Sequence, residues 1–551
     1  MKVSDLLVKC LEAEGVKYVF GLPGEENEDL LFSLADSQIQ FVPCRHEQGA
    51  AFMADVWGRL SGAPGVCLST LGPGATNLIT GLADAHLDKS PVVALTAQGG
   101  LERLQHESHQ LIDIVNMFRP ITKWTAAVPT PEVVPEMVRK AFKLAQAEKP
   151  GVTHIELSED VAAEDARVNN VPLRPHPVRE PAPDRKAVDQ AFSLIMEAER
   201  PLIIAGNGAI RDRASRYLAR LVQTHGIATV STFMGKGAIS DRLDQSLLAI
   251  GLGFKDYVLE AVEQADLIVT VGYDIAEYPP QKWNPNGRAR IVHIDFAPAE
   301  VYMHYQPEVE VVGDISGALH ALDQRLMEAD RRYQRDWYAP IRARILGDIA
   351  GYELGPDEAF TIPGALNIMR EVMDDDSLLL SDTGSHKMWI ARNFPTYRPN
   401  GTVISNGLAT MGIALPGAVA AALVDPNRQV VAAKGDGGFL MNSQELETAK
   451  RLGVNFTAVV FNDFDYGLIS WKQEMSKHRS VATRLGNPDF KAYAESFGIK
   501  GYRPETLDEL REQLAQAIQS RELSVIEIRV SAQVNNELVD KLAKYWEGKT
   551  S

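Results

Sequence analysis

Residues 430–468 read VVAAKGDGGFLMNSQELETAKRLGVNFTAVVFNDFDYGL, and this segment restricts the fold more than any other part of the chain. The apolar run Val430 to Ala433, ended by glycine, suits a strand covered on both faces of a parallel sheet. Asn442 or Ser443, followed by Glu445, can cap a helix running through Glu447 to Arg451 and stopping at Gly453. A second β-rich run, Phe456 to Phe461, then ends in Asn462-Asp463. This is a βαβ unit. Its right-handed crossover sets Asp436 and Asp463 past the carboxyl ends of neighbouring parallel strands, where open α/β sheets bind ligands.

Bare backbone at Gly435, Gly437 and Gly438 lets N–H groups approach phosphate oxygens, and the following helix start favours negative charge. Two carboxylates beside a phosphate cradle suit magnesium, which takes one or two carboxylates plus water and ligand phosphates. A lone Gly-Asp-Gly is more often a tight turn with a solvated acid. The strand, helix, strand and second acid in order favour the metal reading.

At this point the chain resembles the thiamine diphosphate enzymes, whose signature is Gly-Asp-Gly followed, after a helix and strand, by Asn-Asn or Asn-Asp. Within them it is most similar to acetolactate synthases, especially the catabolic kind. The resemblance rests on ordered segments along nearly the whole chain. They include FGLPG at 20–24, RHEQGAAFMADVWGRLSG at 45–62, LGPGATN at 71–77, SHQLIDIVNMFRPITKW at 108–124, GSHKMWIARNF at 384–394 and SNGLATMGIALPGA at 405–418.

Length and composition agree. A chain of 551 residues exceeds one core and suggests three domains. A hydrophobic fraction of 45% excludes global disorder, and a net charge of −17 argues against nucleic-acid binding. Cys10, Cys44 and Cys67 lack metal-ligand spacing and are expected as reduced thiols. MKVSDLLVKCLEAEG reads as an amphipathic helix without a signal-peptide core, and Ile404 to Val424 as a buried loop and helix, so a cytoplasmic protein without membrane association is expected. Proline-rich VPLRPHPVREPAPDR, 171–185, reads as a linker, and a charged helical stretch from Leu326 to Asp357 as a softer boundary. The fold expected is α/β with three Rossmann-like domains built on parallel sheets: a pyrimidine-binding domain at 1–170, a middle domain at 186–330 and a diphosphate-binding domain at 358–535. No internal sequence repeat is evident.

The resemblance implies residue roles. Glu47, set before the small and apolar run Gly49 to Met53, corresponds to the glutamate that contacts the cofactor's pyrimidine N1′ and acts as general acid/base. A poorly hydrated position there favours the protonated carboxyl. Ser385 and His386 correspond to residues touching the diphosphate, with Gly437 and Gly438 beside it. Asp463 and the backbone carbonyl of Asp465 join Asp436 around the metal. The backbone of Ala409 and Met411 holds the aminopyrimidine, with the Met411 side chain as a prop beneath the cofactor or as plain core packing. Tyr466, Gly467 and Leu468 line the pocket, and Pro73 and Asn77 lie on a loop near the cofactor. Gln110 corresponds to an active-site glutamine donating to substrate oxygen; on local sequence alone it reads equally as solvent-exposed.

The implied reaction is decarboxylation of pyruvate to a hydroxyethyl enamine and its addition to a second 2-oxo acid, giving 2-acetolactate. The alternative is a thiamine diphosphate-dependent decarboxylase, lyase or oxidase acting on another substrate. The resemblance places Glu47 and Asp436 on different subunits of one active site, which implies a homodimer or tetramer. Two departures bear on substrate. Glu26 stands where catabolic members carry lysine. Lys472, beside Trp471, stands where others carry tryptophan or glutamine; it either receives a more acidic acceptor or pairs with Glu474 and faces solvent. VGYDIAEY at 271–278 follows the catabolic, flavin-free pattern, whereas PLIIAGNGA at 201–209 reads as a Rossmann-like strand and glycine turn and TFMGKGA at 232–238 is closer to flavin-bearing relatives; FAD is not expected.

Overall fold

The computed structural model describes residues 1–167, 169–211, 213–356 and 358–550. Three six-stranded sheets, all parallel, follow one another along the chain. The first comprises β1 (Tyr18–Gly21), β2 (Gln40–Pro43), β3 (Gly65–Ser69), β4 (Val92–Gln98), β5 (Trp124–Ala127) and β6 (Val152–Ser158). The second comprises β7 (Pro201–Ala205), β8 (Ala228–Ser231), β9 (Ser246–Ala249), β10 (Leu267–Val271), β11 (Ile291–Asp295) and β12 (Val309–Val312). The third comprises β13 (Leu378–Ser381), β14 (Thr402–Ile404), β15 (Val430–Gly435), β16 (Thr457–Asn462), β17 (Lys500–Tyr502) and β18 (Ser524–Arg529).

The first and third sheets have the same winding: β2-β1-β3-β4-β6-β5 and β14-β13-β15-β16-β18-β17. The repeat is one of topology, invisible in the residues. The middle sheet, β12-β11-β10-β7-β8-β9, has the 3-2-1-4-5-6 order of dinucleotide-binding folds. Strand order reverses direction between β1 and β3, between β7 and β10, and between β13 and β15. These are the crevices where ligands bind in open α/β sheets.

The chain divides into two compact units. One holds the first sheet together with 407–427 and 439–455; the other holds the second and third sheets. In the first unit the fully apolar helix Ala414–Val424 packs on the helix Glu47–Ser61. On the helix Glu47–Ser61 the bare Gly49 also leaves room for Glu445, whose carboxylate would lie 2.7 Å from a Cβ there.

β15 and β16 pair in parallel as the sequence implies, and Val3–Ala13 is helical. The segment after β15 differs from expectation. Helix begins directly at Asp436 and runs to Asn442, before a second helix, Glu445–Leu452, ends at left-handed Gly453. The N-cap of that second helix is Gln444, without a side-chain bond, and the Asn442 amide donates to the Gly412 carbonyl at 3.1 Å. Residues 170–184 carry no helix or strand. The helix Ile315–Glu328 is followed by a separate helix, Ala339–Ala350; Asp357 lies outside the described residues. All three cysteines are buried and unbridged. Among the described residues no helix is long and apolar enough to cross a membrane.

Candidate active site

In the second unit, the crevice between β13 and β15 gathers Ser385, His386 and the glycines at 437 and 438. Ser385 and His386 open the helix Ser385–Asn393, both buried. The His386 ring lies over Gly384, where a Cβ would come within 2.8 Å of it. Burial pushes the imidazole down to about 4 even though Asp382 pulls the other way, so the ring is neutral near pH 7. Its Nε2 is buried without a protein hydrogen bond. Gly437 lies under the Tyr466 ring and Gly438 against the Asp382 carboxylate, at 2.7 and 3.1 Å from their ideal Cβ positions.

Asp436 and Asp463 lie past the ends of adjacent strands. Burial raises the Asp436 carboxyl above its ordinary value, and burial with repulsion from Asp436 and Asp465 pushes Asp463 up to about 7. Asp463 also crowds the start of the following helix: a Cβ on Gly467 would stand 2.1 Å from Asp463 Oδ2. Asp463 Oδ1 accepts from the Asp465 N–H at 3.3 Å, and left-handed Phe464, φ 57°, turns the chain between them. Asp465 is itself buried and one of its oxygens, Oδ1, has no hydrogen-bond partner. Asn487 Nδ2 donates both to Asp436 Oδ2, at 2.7 Å, and to Asn462 Oδ1, at 2.9 Å. Among the described residues no group of three or more His, Cys, Asp or Glu side chains could hold a metal. Two carboxylates and a carbonyl match what magnesium asks of a protein when a phosphorylated ligand supplies the rest.

Tyr466 precedes the helix Gly467–Lys477, and Leu468 lies partly buried in its first turn. Trp471 turns inward: it is buried, its indole N–H donates to Asn536 at 2.8 Å, and it meets Phe254 edge-on. Lys472 is exposed.

In the first unit Glu47 is the first residue of its helix, where the helix dipole favours an acid. The helix entry is fixed twice. His46 Nδ1 accepts from the Gln48 N–H at 3.1 Å, and Glu445 Oε1 accepts from the N–H groups of Arg45 and His46 at 3.0 and 3.1 Å. Glu47 is 7% exposed, and its Oε2 accepts from Asn77 Nδ2 at 2.9 Å. Its Oε1 faces the bare Gly74, 3.4 Å from the ideal Cβ position. Pro73 opens the helix Pro73–Leu87 after left-handed Gly72, φ 45°. Exposed Gln110 stands against that turn, its carbonyl 2.6 Å from where a Gly72 Cβ would be. Glu26 accepts from Thr70 Oγ1 at 2.9 Å, across the β1–β3 crevice.

Ala409 has a left-handed backbone, φ 60°, a conformation costing a non-glycine residue on the order of 1 kcal/mol. The segment around it is held from the helix Pro73–Leu87. Asp88 Oδ1 accepts the Gly407 N–H at 2.7 Å, and Asp84 Oδ1 accepts the Thr410 N–H and hydroxyl at 3.2 and 2.6 Å. Met411, half-buried, follows directly.

In the middle sheet's crevice the glycine turn is closed by packing. Gly206 and Gly208 pack against the backbone of Gly272. The buried Glu277 carboxylate accepts the Asn207 N–H at 2.9 Å and the Thr232 hydroxyl.

Several residues here escape sequence reasoning. Lys434 sits between the apolar run and Gly435, fully buried, with Nζ 3.4 Å from Asp382 Oδ2 on the neighbouring strand end. A lysine inside a doubly covered strand was the available signal. Asn487, Asp84 and Asp88 carried none beyond ordinary loop and helix composition.

Three domain models match the chain: the thiamine pyrophosphate enzyme N-terminal TPP binding domain over residues 1–117, the central domain over 188–322 and the C-terminal TPP binding domain over 382–528. The chain is 36% identical to the acetolactate synthase of Bacillus subtilis (strain 168), covering 98% of this chain and 95% of that one. It is 36% identical to the catabolic acetolactate synthase of Raoultella terrigena, covering 98% and 97%. A probable acetolactate synthase large subunit of Methanocaldococcus jannaschii is 34% identical, over 96% and 92%. The chain belongs to the thiamine diphosphate-dependent acetolactate synthase family.

Proposed function

We propose that this chain is a thiamine diphosphate- and magnesium-dependent carboligase that decarboxylates pyruvate and joins the remaining two-carbon unit to a second 2-oxo acid, giving 2-acetolactate. The observation that carries this reading is the buried Glu47 carboxylate, held by Asn77 at the start of its helix, in a chain that also sets Asp436 and Asp463 past adjoining strand ends. Bound thiamine diphosphate supplies the carbanion and the electron sink.

The residues present fit that group. Ser385, His386 and the N–H groups of Gly437 and Gly438 hold the diphosphate; the partnerless His386 Nε2 is suited to a phosphate oxygen. Asp436, Asp463 and the Asp465 carbonyl would hold magnesium, whose charge would favour the ionised form of both carboxyls, raised by burial and, at Asp463, also by repulsion from Asp436. The strained Ala409 and neighbouring Met411 present their backbone to the aminopyrimidine, and Tyr466, Gly467 and Leu468 line the pocket. Asn77 fixes Glu47 Oε2, so Oε1 beside Gly74 exchanges the proton with pyrimidine N1′. Gln110 donates to substrate oxygen. Glu26 and Lys472, with Trp471, bear on the choice of acceptor.

No flavin takes part in this reading, which is supported by Glu277 occupying the anion position of the middle sheet's glycine turn. We infer a homodimer or tetramer in which Glu47 of one copy serves the cofactor held by another. A cytoplasmic location is supported by three buried, unbridged thiols.

Incubating the protein with thiamine diphosphate, magnesium and pyruvate, and identifying the carbon products by NMR, tests the reading. Acetolactate is expected. Acetaldehyde or acetate as the main product would replace carboligation by release or oxidation.

A further inference from the structure

Asn77, Asp84 and Asp88 lie at i, i+7 and i+11 along one helix and its cap, so they share a face. Asn77 serves Glu47, whereas Asp84 and Asp88 both serve the 407–410 segment. Their placement is costly by ordinary rules. Acids in the last turn of a helix oppose its dipole, and both are almost wholly buried. Arg59 offsets part of that charge through Asp88, at 2.6 Å. What the two carboxylates gain are donors from a segment with a strained backbone. Ala409 is left-handed, and Gly407 tolerates no side chain, since its ideal Cβ would meet Asp88 Oδ1 at 2.7 Å. On the far side Asn442 fixes the Gly412 carbonyl at 3.1 Å.

Resting on the functional reading above, we propose that Asp84 and Asp88 are positioning residues for the cofactor's aminopyrimidine, acting through the 407–410 backbone rather than by touching it. The diphosphate end of the cofactor is held elsewhere, so loss of these contacts weakens recognition of the pyrimidine and leaves recognition of diphosphate alone.

The test measures affinity for thiamine diphosphate and for inorganic diphosphate, both with magnesium, by quenching of intrinsic fluorescence, in the full-length protein. Asp84→Ala is expected to weaken thiamine diphosphate by about tenfold or more while inorganic diphosphate shifts less than about twofold. Asp84→Asn keeps the Oδ1 acceptor and should recover most of the loss. Thr410→Val, which removes only the hydroxyl, should give a smaller loss of the same selectivity and serves if Asp84→Ala does not fold. Equal weakening of both ligands, or no weakening of either, in the folded variants overturns the proposal. Wild-type protein that binds no thiamine diphosphate defeats the functional reading itself, a separate result.

Discussion

Asn77 donates its side-chain N–H to Glu47 Oε2 at 2.9 Å, which fixes the carboxyl plane and leaves Oε1 against Gly74. Replacing Glu47 by Gln keeps shape and removes acid/base capacity. Turnover should fall roughly 100-fold or more with cofactor affinity largely retained. Asn77→Ala should cost less, roughly tenfold, because it loosens the carboxyl without deleting it. Steady-state rates alongside cofactor titrations separate the two effects.

The Asp463 carboxylate occupies the space a side chain at 467 would need. Gly467→Ala should therefore disturb magnesium-dependent cofactor binding as strongly as Asp463→Asn, each weakening it by roughly tenfold or more. Chelation of divalent ions should release the cofactor from wild-type protein. Calorimetric titration with thiamine diphosphate, with and without magnesium, reads both; unchanged affinity in Gly467→Ala would disconnect the Asp463 carboxylate from the metal.

Glu277 fills the glycine turn of the middle sheet and is pushed up to about 7 by burial. The purified protein should lack flavin absorbance. Glu277→Ala should leave the buried Asn207 N–H and Thr232 hydroxyl without their acceptor and destabilise the fold by about 2–4 kcal/mol, measured by denaturant unfolding.

Asp55 is fully buried beside Arg59, and its carboxylate oxygens have no hydrogen-bond partner. Burial lifts its carboxyl from 3.8 to about 6, with Arg59 opposing. The folded state holds this proton more tightly than the unfolded chain. The resulting stability is present below the unfolded value and lost as pH rises through about 6. Asp55→Asn, neutral throughout, should be more stable than wild type at pH 8 by about 1–3 kcal/mol and little different at pH 4. Thermal unfolding at the two pH values measures this; a variant less stable at pH 8 would mean that the Asp55 charge is needed by Arg59.

How much of this was legible depended on how local each signal was. The βαβ unit at 430–463 could be read because strand, glycines and acids follow one another. The helix at Asp436–Asn442 could not, since Asp-Gly-Gly reads as loop until helix-supporting packing is known. Ser385 and His386 were reached only through motif resemblance. Asn487 and Asp84 act from far along the chain, and only folding brings them to Asp436 and Thr410. The shared winding of the first and third sheets leaves no trace in residue identity because topology constrains burial patterns, not particular side chains.

In both of those sheets the second strand feeds a crossover helix, Glu47–Ser61 after β2 and Ala414–Val424 after β14, and the two helices lie against each other. The doorway into each helix is thus the same architectural address occupied twice: once by a lone acid, once by a stiffened stretch of main chain. Because the two helices pack together, engineering either threshold means re-tuning its sibling.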